Sequence, residues 1–270
     1  MGHMKISYSN KLDCYFSTCT EETLAYCTHP VWDDLTHKEL SNRMVLMPYR
    51  KVLLVPDCYY HVFNRSVGRQ PILHNLRDYQ RLMQIIEFYA FDKPSLRFSH
   101  YNRLPTEAKT KYLANLKKES KKIVEIIGFC LMPNHFHFLV KEKEKGGIAR
   151  FMRNIQNSYA KYFNTKNDRN GALFQSMFKA VRIETDEQLI HVLRYIHLNP
   201  LTSFIIKEIK ELESYPFTSF FDYILKRENS FVDTSMMKGF FKSVDSLAKF
   251  TFDQVNYQRE LEEIKHLLLE

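Results

Sequence analysis

The chain has 270 residues, of which 44% are hydrophobic and 14% aromatic, enough apolar material for a folded core. No apolar run approaches the roughly 18 residues that a membrane span needs. Seven glycines cannot be arranged into either common glycine-rich phosphate loop, which excludes the usual nucleotide-binding folds. Lys and Arg number 39 against 31 Asp and Glu, a net charge of +8. This excess favours a polyanionic partner.

The positive charge is concentrated in the middle of the chain. Residues 47–200 carry a net charge of +13, whereas residues 1–46 carry −2 and residues 201–270 carry −3. A solvated surface could produce this asymmetry, but a segment that contacts phosphates explains it more directly. We therefore expect a phosphate-contacting domain over 47–200, an N-terminal extension over 1–46 and a C-terminal extension over 201–270.

Cysteine use predicts a reducing compartment. The chain has five cysteines, an odd number, and Cys58 and Cys130 stand in apolar contexts typical of buried free thiols. A cytoplasmic location is the simplest interpretation. A zinc site could be assembled near the N-terminus, although its spacing matches no common zinc pattern; its ligands would be Cys14, Cys19, Cys27 and His29.

The first half of the chain predicts alternating helices and strands. Residues 1–4 are typical of a cloning remnant, and residues 5–46 show weak periodicity. Residues 59–65 are rich in strand formers, and apolar residues over 78–91 recur at helical spacing. The polar, Lys-rich residues 93–121 predict an insertion with one short helix. Two apolar strands, 123–130 and 135–141, flank Pro133-Asn134 and predict a hairpin.

The second half continues the pattern. Gly146-Gly147 precedes a predicted helix over 148–164, and residues 173–184 predict a strand. Thr185 or Asp186 can cap a helix that ends near Leu198, before Pro200. Residues 201–270 predict amphipathic helices. This order of elements predicts an α+β fold with a ferredoxin- or RRM-like, mostly antiparallel central sheet.

His135-Phe136-His137 is the sharpest local motif. Alternate residues of a strand share a face, so both imidazoles should point one way while Phe136 and Phe138 enter the core. Two imidazoles at this spacing can bind one divalent metal and leave coordination positions open for substrate. Taken alone, such a pair on a strand is more often structural.

Tyr195 and Asn199 form the second motif. They lie four residues apart on a predicted helix and therefore share a face, with His191 one turn earlier. A tyrosine hydroxyl, with a pKa of about 10, is a poor nucleophile at neutral pH. A divalent ion held by His135 and His137, with Asn199 as a third ligand, could polarise a phosphodiester for attack by Tyr195. Oxygen-rich substrates favour Mg²⁺ or Mn²⁺.

The sequence resembles the HUH single-tyrosine transposases, and in particular their REP-associated branch. Leu131-Met132-Pro133-Asn134-His135-Phe136-His137-Phe138-Leu139-Val140 is similar to the HUH motif of that family. Tyr195-Ile196-His197-Leu198-Asn199-Pro200 is similar to its nucleophile helix. Tyr60-His61-Val62-Phe63-Asn64-Arg65 resembles its first strand. The resemblance extends over residues 47–270, while residues 1–46 have no counterpart and residues 93–121 occur in some members only.

The resemblance implies His135, His137 and Asn199 as metal ligands and Tyr195 as the nucleophile. It implies a prokaryotic, nucleoid-associated protein that cuts and rejoins single-stranded DNA near hairpins, through a 5′-phosphotyrosine and without a nucleotide cofactor. Relatives with glutamine at the position of Asn199 exchange helices between subunits, whereas the asparagine form tends towards monomers, so a monomer and a homodimer are both open. Candidate DNA contacts are Asn64, Arg65, Arg69, Arg150, Arg153, Lys161, Lys179 and Arg182.

Three alternatives stay open at this point. Tyr159 or Tyr162, on the helix that follows the histidine strand, could be the nucleophile instead of Tyr195. The chain could be a domesticated protein that binds hairpin DNA without cutting it. It could also be a metal-dependent hydrolase that uses water, in which case activity would survive Tyr195→Phe and would be lost in His135→Ala.

Overall fold

The computed structural model describes residues 52–92, 94–224, 227, 230–256 and 259. The chain divides into two units, Met1–Tyr49 and Arg50–Glu270, and all described residues belong to the second. The expectations for residues 1–46, including the zinc candidates Cys14, Cys19, Cys27 and His29, lie outside the described residues. None of the described helices is long and apolar enough to cross a membrane.

Four strands and eight α-helices make up the described part of the chain. In chain order they are β1 (Tyr59–Arg65), α1 (Leu76–Tyr89), α2 (Phe98–Tyr101), α3 (Thr106–Glu119), β2 (Val124–Met132), β3 (His135–Glu142), α4 (Gly147–Lys166), β4 (Lys179–Ile183), α5 (Asp186–Thr202), α6 (Ile209–Ser214), α7 (Phe220–Ile224) and α8 (Val244–Phe252). Short 3-10 turns occupy Val67–Arg69 and Met236–Gly239.

The four strands form one antiparallel sheet. Their order is β2-β3-β1-β4, and every neighbouring pair runs antiparallel. With α1 between β1 and β2, and α4 between β3 and β4, this is the ferredoxin-like arrangement that the sequence predicted. The α+β fold class is therefore confirmed.

The two faces of the sheet carry different helices. The β3 side chain of Phe138 meets Phe151 of α4 with ring centroids 5.8 Å apart, so α1 and α4, which pack together, cover that face. Helix α5 packs on the opposite face, against β2 and β3. It lies close to the sheet, because a Cβ at Gly128 would come within 2.5 Å of Cδ1 of Leu193. Since His135 and His137 alternate with Phe136 and Phe138, both histidines lie on the face of α5.

Several predicted boundaries were wrong. The insertion holds two helices, α2 and α3, instead of one. The predicted strand over 173–184 is reduced to Lys179–Ile183. Helix α5 also continues through Pro200 to Thr202. A proline so close to the C-terminal end removes few helical hydrogen bonds, and the N–H groups of Ile205 and Ile206 still reach the carbonyl oxygen of Pro200.

The C-terminal segment covers the outer edge of β2. The N–H of Ser219 donates to the carbonyl oxygen of Phe129 at 2.9 Å, and the N–H of Asp233 donates to that of Ile126 at 2.8 Å. The N–H of Leu131 donates to the carbonyl oxygen of Phe217. These contacts pair backbone groups that an open edge strand would leave exposed.

His197 connects α5 to this segment and makes the fold sensitive to acid. Its Nε2 lies 2.9 Å from Oγ of Ser219, and burial lowers its pKa to about 3 from the usual 6.5. In the unfolded chain this histidine binds a proton near pH 6.5, whereas in the folded chain it stays neutral down to about pH 3. The free energy of unfolding therefore falls as the pH drops from 6.5 towards 3.

We expect wild type to lose about 1.5 kcal/mol more unfolding free energy between pH 6.5 and 5 than His197→Gln, which cannot titrate. Urea denaturation at the two pH values measures this difference. Because the glutamine amide can still reach Ser219, the comparison isolates the proton. Equal losses in the two proteins would contradict the assignment.

Candidate active site

Tyr195 lies beside the histidines of the sheet. It projects from α5, and its ring meets that of His137 edge-on with centroids 5.7 Å apart. The ring of His61 lies 5.9 Å away in a similar orientation. The tyrosine is half-buried and lines an open cavity. The structure thus brings together the two motifs that the sequence analysis singled out separately.

The two histidines of β3 are adjacent, with His137 buried and His135 half-buried. The ring centroids of His135 and His137 are 5.1 Å apart, and the side chain of Phe63 stacks on His137. Burial, with a smaller contribution from the charge of Arg65, lowers the pKa of His135 to about 4. At neutral pH its ring is therefore uncharged and carries one nitrogen lone pair. Nδ1 of His135 lies 2.6 Å from Oδ1 of Asn134, which can only accept a hydrogen bond, so Nδ1 carries the ring proton.

His61 is a site residue that the sequence analysis did not identify. Its Nε2 lies 2.9 Å from Nδ1 of His137, so the two imidazoles share a hydrogen bond. The antiparallel register, which sets Phe63 opposite His137 and His61 opposite Leu139, turns all these side chains to one face. Burial lowers the pKa of His61 to about 4, which keeps it neutral. The sequence shows that His61 shares a strand face with Phe63. It does not show that this strand pairs with the strand of His137, which is what brings His61 into the site.

Asn199 is oriented by the backbone of its own helix. Its Nδ2 donates to the carbonyl oxygen of Tyr195 at 2.9 Å, and the residue is 4% exposed. This hydrogen bond identifies which end of the amide is nitrogen and leaves Oδ1 as the end that can accept or ligate. Asn199 also lines the cavity with Tyr195, as their four-residue spacing predicted.

The cavity has a volume of about 630 Å³ and an open mouth. Four candidate DNA contacts line it: Asn64, Arg65, Arg69 and Lys179. Gln175 and Ser203 line it as well, and neither had been singled out. Among the described residues, no Asp or Glu lines the cavity. This composition suits a negatively charged substrate.

The other candidate contacts lie elsewhere. Lys161 lines a second cavity between α1, α2 and α4, and Arg153 and Arg182 are exposed outside the first cavity. Arg150 forms ion pairs with Asp92 and Glu144. Asn64, although it borders the first cavity, is 3% exposed. Its amide donates to Gln156 and to the carbonyl oxygen of Gln175, and it accepts from the N–H of Arg65.

The rival tyrosines are placed for packing. The hydroxyl of Tyr159 donates to the carbonyl oxygen of Ile72 at 2.7 Å, and that of Tyr162 donates to Oδ1 of Asp78 at 2.7 Å. Burial raises the pKa of Tyr159 and raises that of Tyr162 to about 12. Both project from α4, on the other face of the sheet from His137. Tyr195 is therefore the tyrosine that lies beside the histidine pair.

The donor set of the site suits a divalent ion. Among the described residues no group of three or more His, Cys, Asp or Glu side chains could hold a metal, so a metal here would need Asn199 besides His135 and His137. Two neutral imidazoles and one amide oxygen leave the charge of the ion uncompensated. The ion would then attract a phosphate into its open positions. The residues present fit such an ion.

Comparison with known proteins gives one sequence family and several weak structural similarities. Residues 99–199 match the family described as "Transposase IS200 like", a range that contains His135, His137, Tyr195 and Asn199. No curated protein matches the chain.

Three solved structures are similar in part. A REP-associated tyrosine transposase bound to a REP hairpin is 17% identical, with a TM-score of 0.43 over 70% of this chain and 96% of that chain. A Deinococcus radiodurans R1 protein assigned to the transposases is 13% identical, with a TM-score of 0.31 over 56% and 95%. The tRNA(His) guanylyltransferase of Saccharomyces cerevisiae is 15% identical, with a TM-score of 0.30 over 64% and 75%.

Proposed function

Since residues 99–199 match the IS200-like transposase family, we propose that the chain cuts and rejoins single-stranded DNA with Tyr195 as the nucleophile. The observation that carries this proposal is the position of Tyr195 at 5.7 Å, centroid to centroid, from His137, which stands beside His135. Both histidines lie in a cavity whose lining, in the part of the chain that the structure describes, includes cations and no carboxylate. The preference for hairpin-flanked sites rests on the sequence resemblance.

His135, His137 and Asn199 would hold a Mg²⁺ or Mn²⁺ ion. The bound ion supplies a positive charge that polarises the phosphoryl oxygen under attack. Oδ1 of Asn134 accepts a hydrogen bond from Nδ1 of His135, which leaves the Nε2 lone pair of that ring available. His137 would present its Nε2 lone pair in the tautomer whose Nδ1–H donates to His61. The hydrogen bond from Asn199 to the carbonyl of Tyr195 ties the third ligand to the helix of the nucleophile.

Tyr195 acts on the scissile phosphate. Its phenol loses a proton to water, and the phenolate oxygen forms a bond to phosphorus while the bond from phosphorus to the 3′ oxygen breaks. The products are a 5′-phosphotyrosine and a 3′ oxygen that takes up a proton. A later attack by a 3′ hydroxyl reverses the reaction and releases Tyr195. Arg65, Arg69 and Lys179 line the cavity and hold the flanking phosphates.

Incubation with hairpin-flanked single-stranded DNA and Mn²⁺ tests this function. We expect a covalent protein–DNA adduct on a denaturing gel and a free 3′ hydroxyl that a terminal transferase can extend. The adduct should be absent in EDTA. Tight binding of the hairpin with every strand left uncut would instead support a domesticated binding protein. Cleavage without any adduct would support a hydrolase that uses water.

His61 acts as a positioning residue in this scheme, and its loss should weaken metal binding. We expect His61→Ala to reduce Mn²⁺ affinity by about 10- to 100-fold, because His137 then loses the partner that fixes its proton on Nδ1. Titration followed by Mn²⁺ EPR measures this without DNA. His61→Gln, whose amide oxygen can accept the same proton, should retain most of the affinity.

His100→Ala serves as the matched control, since His100 is exposed on α2 and lines neither cavity. This variant should bind Mn²⁺ as wild type does. Equal Mn²⁺ affinities in His61→Ala and wild type would show that His61 does not position the metal ligands.

A further inference from the structure

The second cavity lies on the other face of the sheet from Tyr195. It has a volume of about 630 Å³ and is bounded by α1, by α4 and by residues 97–103 of the insertion. We call it the basic groove. Helices α1 and α4 cover the sheet face that carries Phe138, whereas Tyr195 and α5 occupy the face that carries His137. A ligand in the basic groove therefore cannot touch the catalytic cavity through the sheet.

Cations line the basic groove, and no Asp or Glu is found among its described lining residues. The lining residue Lys166 forms an ion pair with the buried Asp78, with 2.6 Å between Nζ and Oδ1. Within the described residues, none of the other lining cations is paired with a carboxylate. Those unpaired cations are Arg77, Arg81, Arg97, Arg103 and Lys161.

Arg81 is the lining cation that contacts two aromatic rings. Its guanidinium lies 5.1 Å from the ring centroid of Tyr162 and 5.7 Å from that of Phe98. The two rings fix the orientation of the planar guanidinium, so its N–H groups are positioned to donate hydrogen bonds to a phosphate. Arg77 stands four residues earlier on the same helix, and like charges at this spacing repel. An anion in the groove would relieve this repulsion.

Neutral donors surround the cations. Helix α4 contributes Asn154, Asn157 and Ser158, and the insertion contributes Ser99 and Asn102. Amide and hydroxyl side chains of this kind commonly bind the phosphates and sugars of a nucleic-acid backbone. Several cations spread along one groove match a chain of phosphates better than a single small anion.

We propose that the basic groove binds the phosphate backbone of a single-stranded DNA segment that flanks the segment held at Tyr195. The choice of DNA rests on the proposed function, whereas the presence of a polyanion site rests on the groove alone. Because the two cavities lie on opposite faces, only a strand long enough to pass around the sheet occupies both. The insertion would thereby extend the length of DNA that the protein holds.

The test compares a triple variant with a charge-matched control, both carrying Tyr195→Phe so that no strand is cut. The groove variant is Arg97→Gln/Arg103→Gln/Lys161→Gln, three exposed side chains of the groove. The control is Lys111→Gln/Lys118→Gln/Lys121→Gln, three exposed side chains that line neither cavity. Fluorescence anisotropy over a range of NaCl concentrations gives the dissociation constants for a long strand and for the shortest strand that is still bound.

We expect the groove variant to bind the long strand at least about tenfold more weakly than the control. Its plot of log K against log salt should be less steep by about 2, since each lost phosphate contact removes about 0.7. The short strand should bind both variants equally. Equal losses in groove variant and control, or an equal loss on the short strand, would overturn the proposal. Tighter binding of an RNA strand of the same sequence would overturn its choice of DNA.

This test and the test of the proposed function can fail separately. If the groove variant alone loses DNA affinity and the wild-type protein never forms an adduct with DNA, the groove proposal stands and the nuclease proposal fails. If wild type forms an adduct at Tyr195 and both triple variants bind DNA equally, the nuclease proposal stands and the groove proposal fails.

Discussion

Tyr195→Phe is expected to abolish the covalent protein–DNA adduct, with the rate of its formation reduced by at least about 10³-fold. The substitution removes one oxygen atom and keeps the ring that packs edge-on against His61 and His137. The fold and the metal affinity should therefore be unchanged. Quantification of the adduct on denaturing gels, at saturating DNA, measures the loss.

Tyr162→Phe is the matched control, because it also removes one phenolic hydroxyl but lies on α4, on the other sheet face. Its adduct should form at nearly the wild-type rate, although loss of the hydrogen bond to Asp78 should lower stability by about 1 kcal/mol. An adduct that persists in Tyr195→Phe and disappears in Tyr162→Phe would reassign the nucleophile.

His137→Ala should lose both metal binding and DNA cleavage. The substitution removes a proposed ligand and also leaves His61 without its hydrogen-bond partner in the site. We expect Mn²⁺ affinity to fall at least about 100-fold and adduct formation to fall by about 10³-fold. Calorimetric titration with Mn²⁺ and the adduct assay together separate the two losses.

Metal binding and cleavage should dissociate across the variants. Tyr195→Phe should bind Mn²⁺ as tightly as wild type and form no adduct, whereas His137→Ala should do neither. His74→Ala is a suitable control, since His74 is exposed and stacks on Phe163 away from the site. Wild-type adduct formation by His137→Ala in EDTA would show that no metal takes part.

Local spacing was enough to predict the candidate site in outline. The two-residue period of a strand places His135 and His137 on one face, and the period of a helix places Tyr195 and Asn199 on one stripe. Both features depend on neighbours in sequence alone. The order of apolar segments likewise predicted the α+β fold with its antiparallel sheet, because strand and helix periods differ.

Contacts between distant segments could not be read in the same way. The position of His61 beside His137 follows from the register of β1 on β3, which joins residues 76 positions apart. The basic groove depends on how α2 of the insertion packs against α1 and α4. The coverage of β2 by Phe217, Ser219 and Asp233 depends on backbone hydrogen bonds between segments that are far apart in the sequence. Each of these needs tertiary structure.

Helix α5 is held from both sides. Gly128 allows its Leu193 to press onto the sheet, and on the outer side Arg194 donates to the carbonyl oxygen of Phe250 and lies 4.3 Å from that ring. His197 ties it to Ser219. A helix fixed in this way would keep the hydroxyl oxygen of Tyr195 stationary. Under the proposed function, the DNA strands would then have to move to the tyrosine when one DNA end replaces another, so the rate of rejoining would depend on how fast DNA leaves and enters the protein.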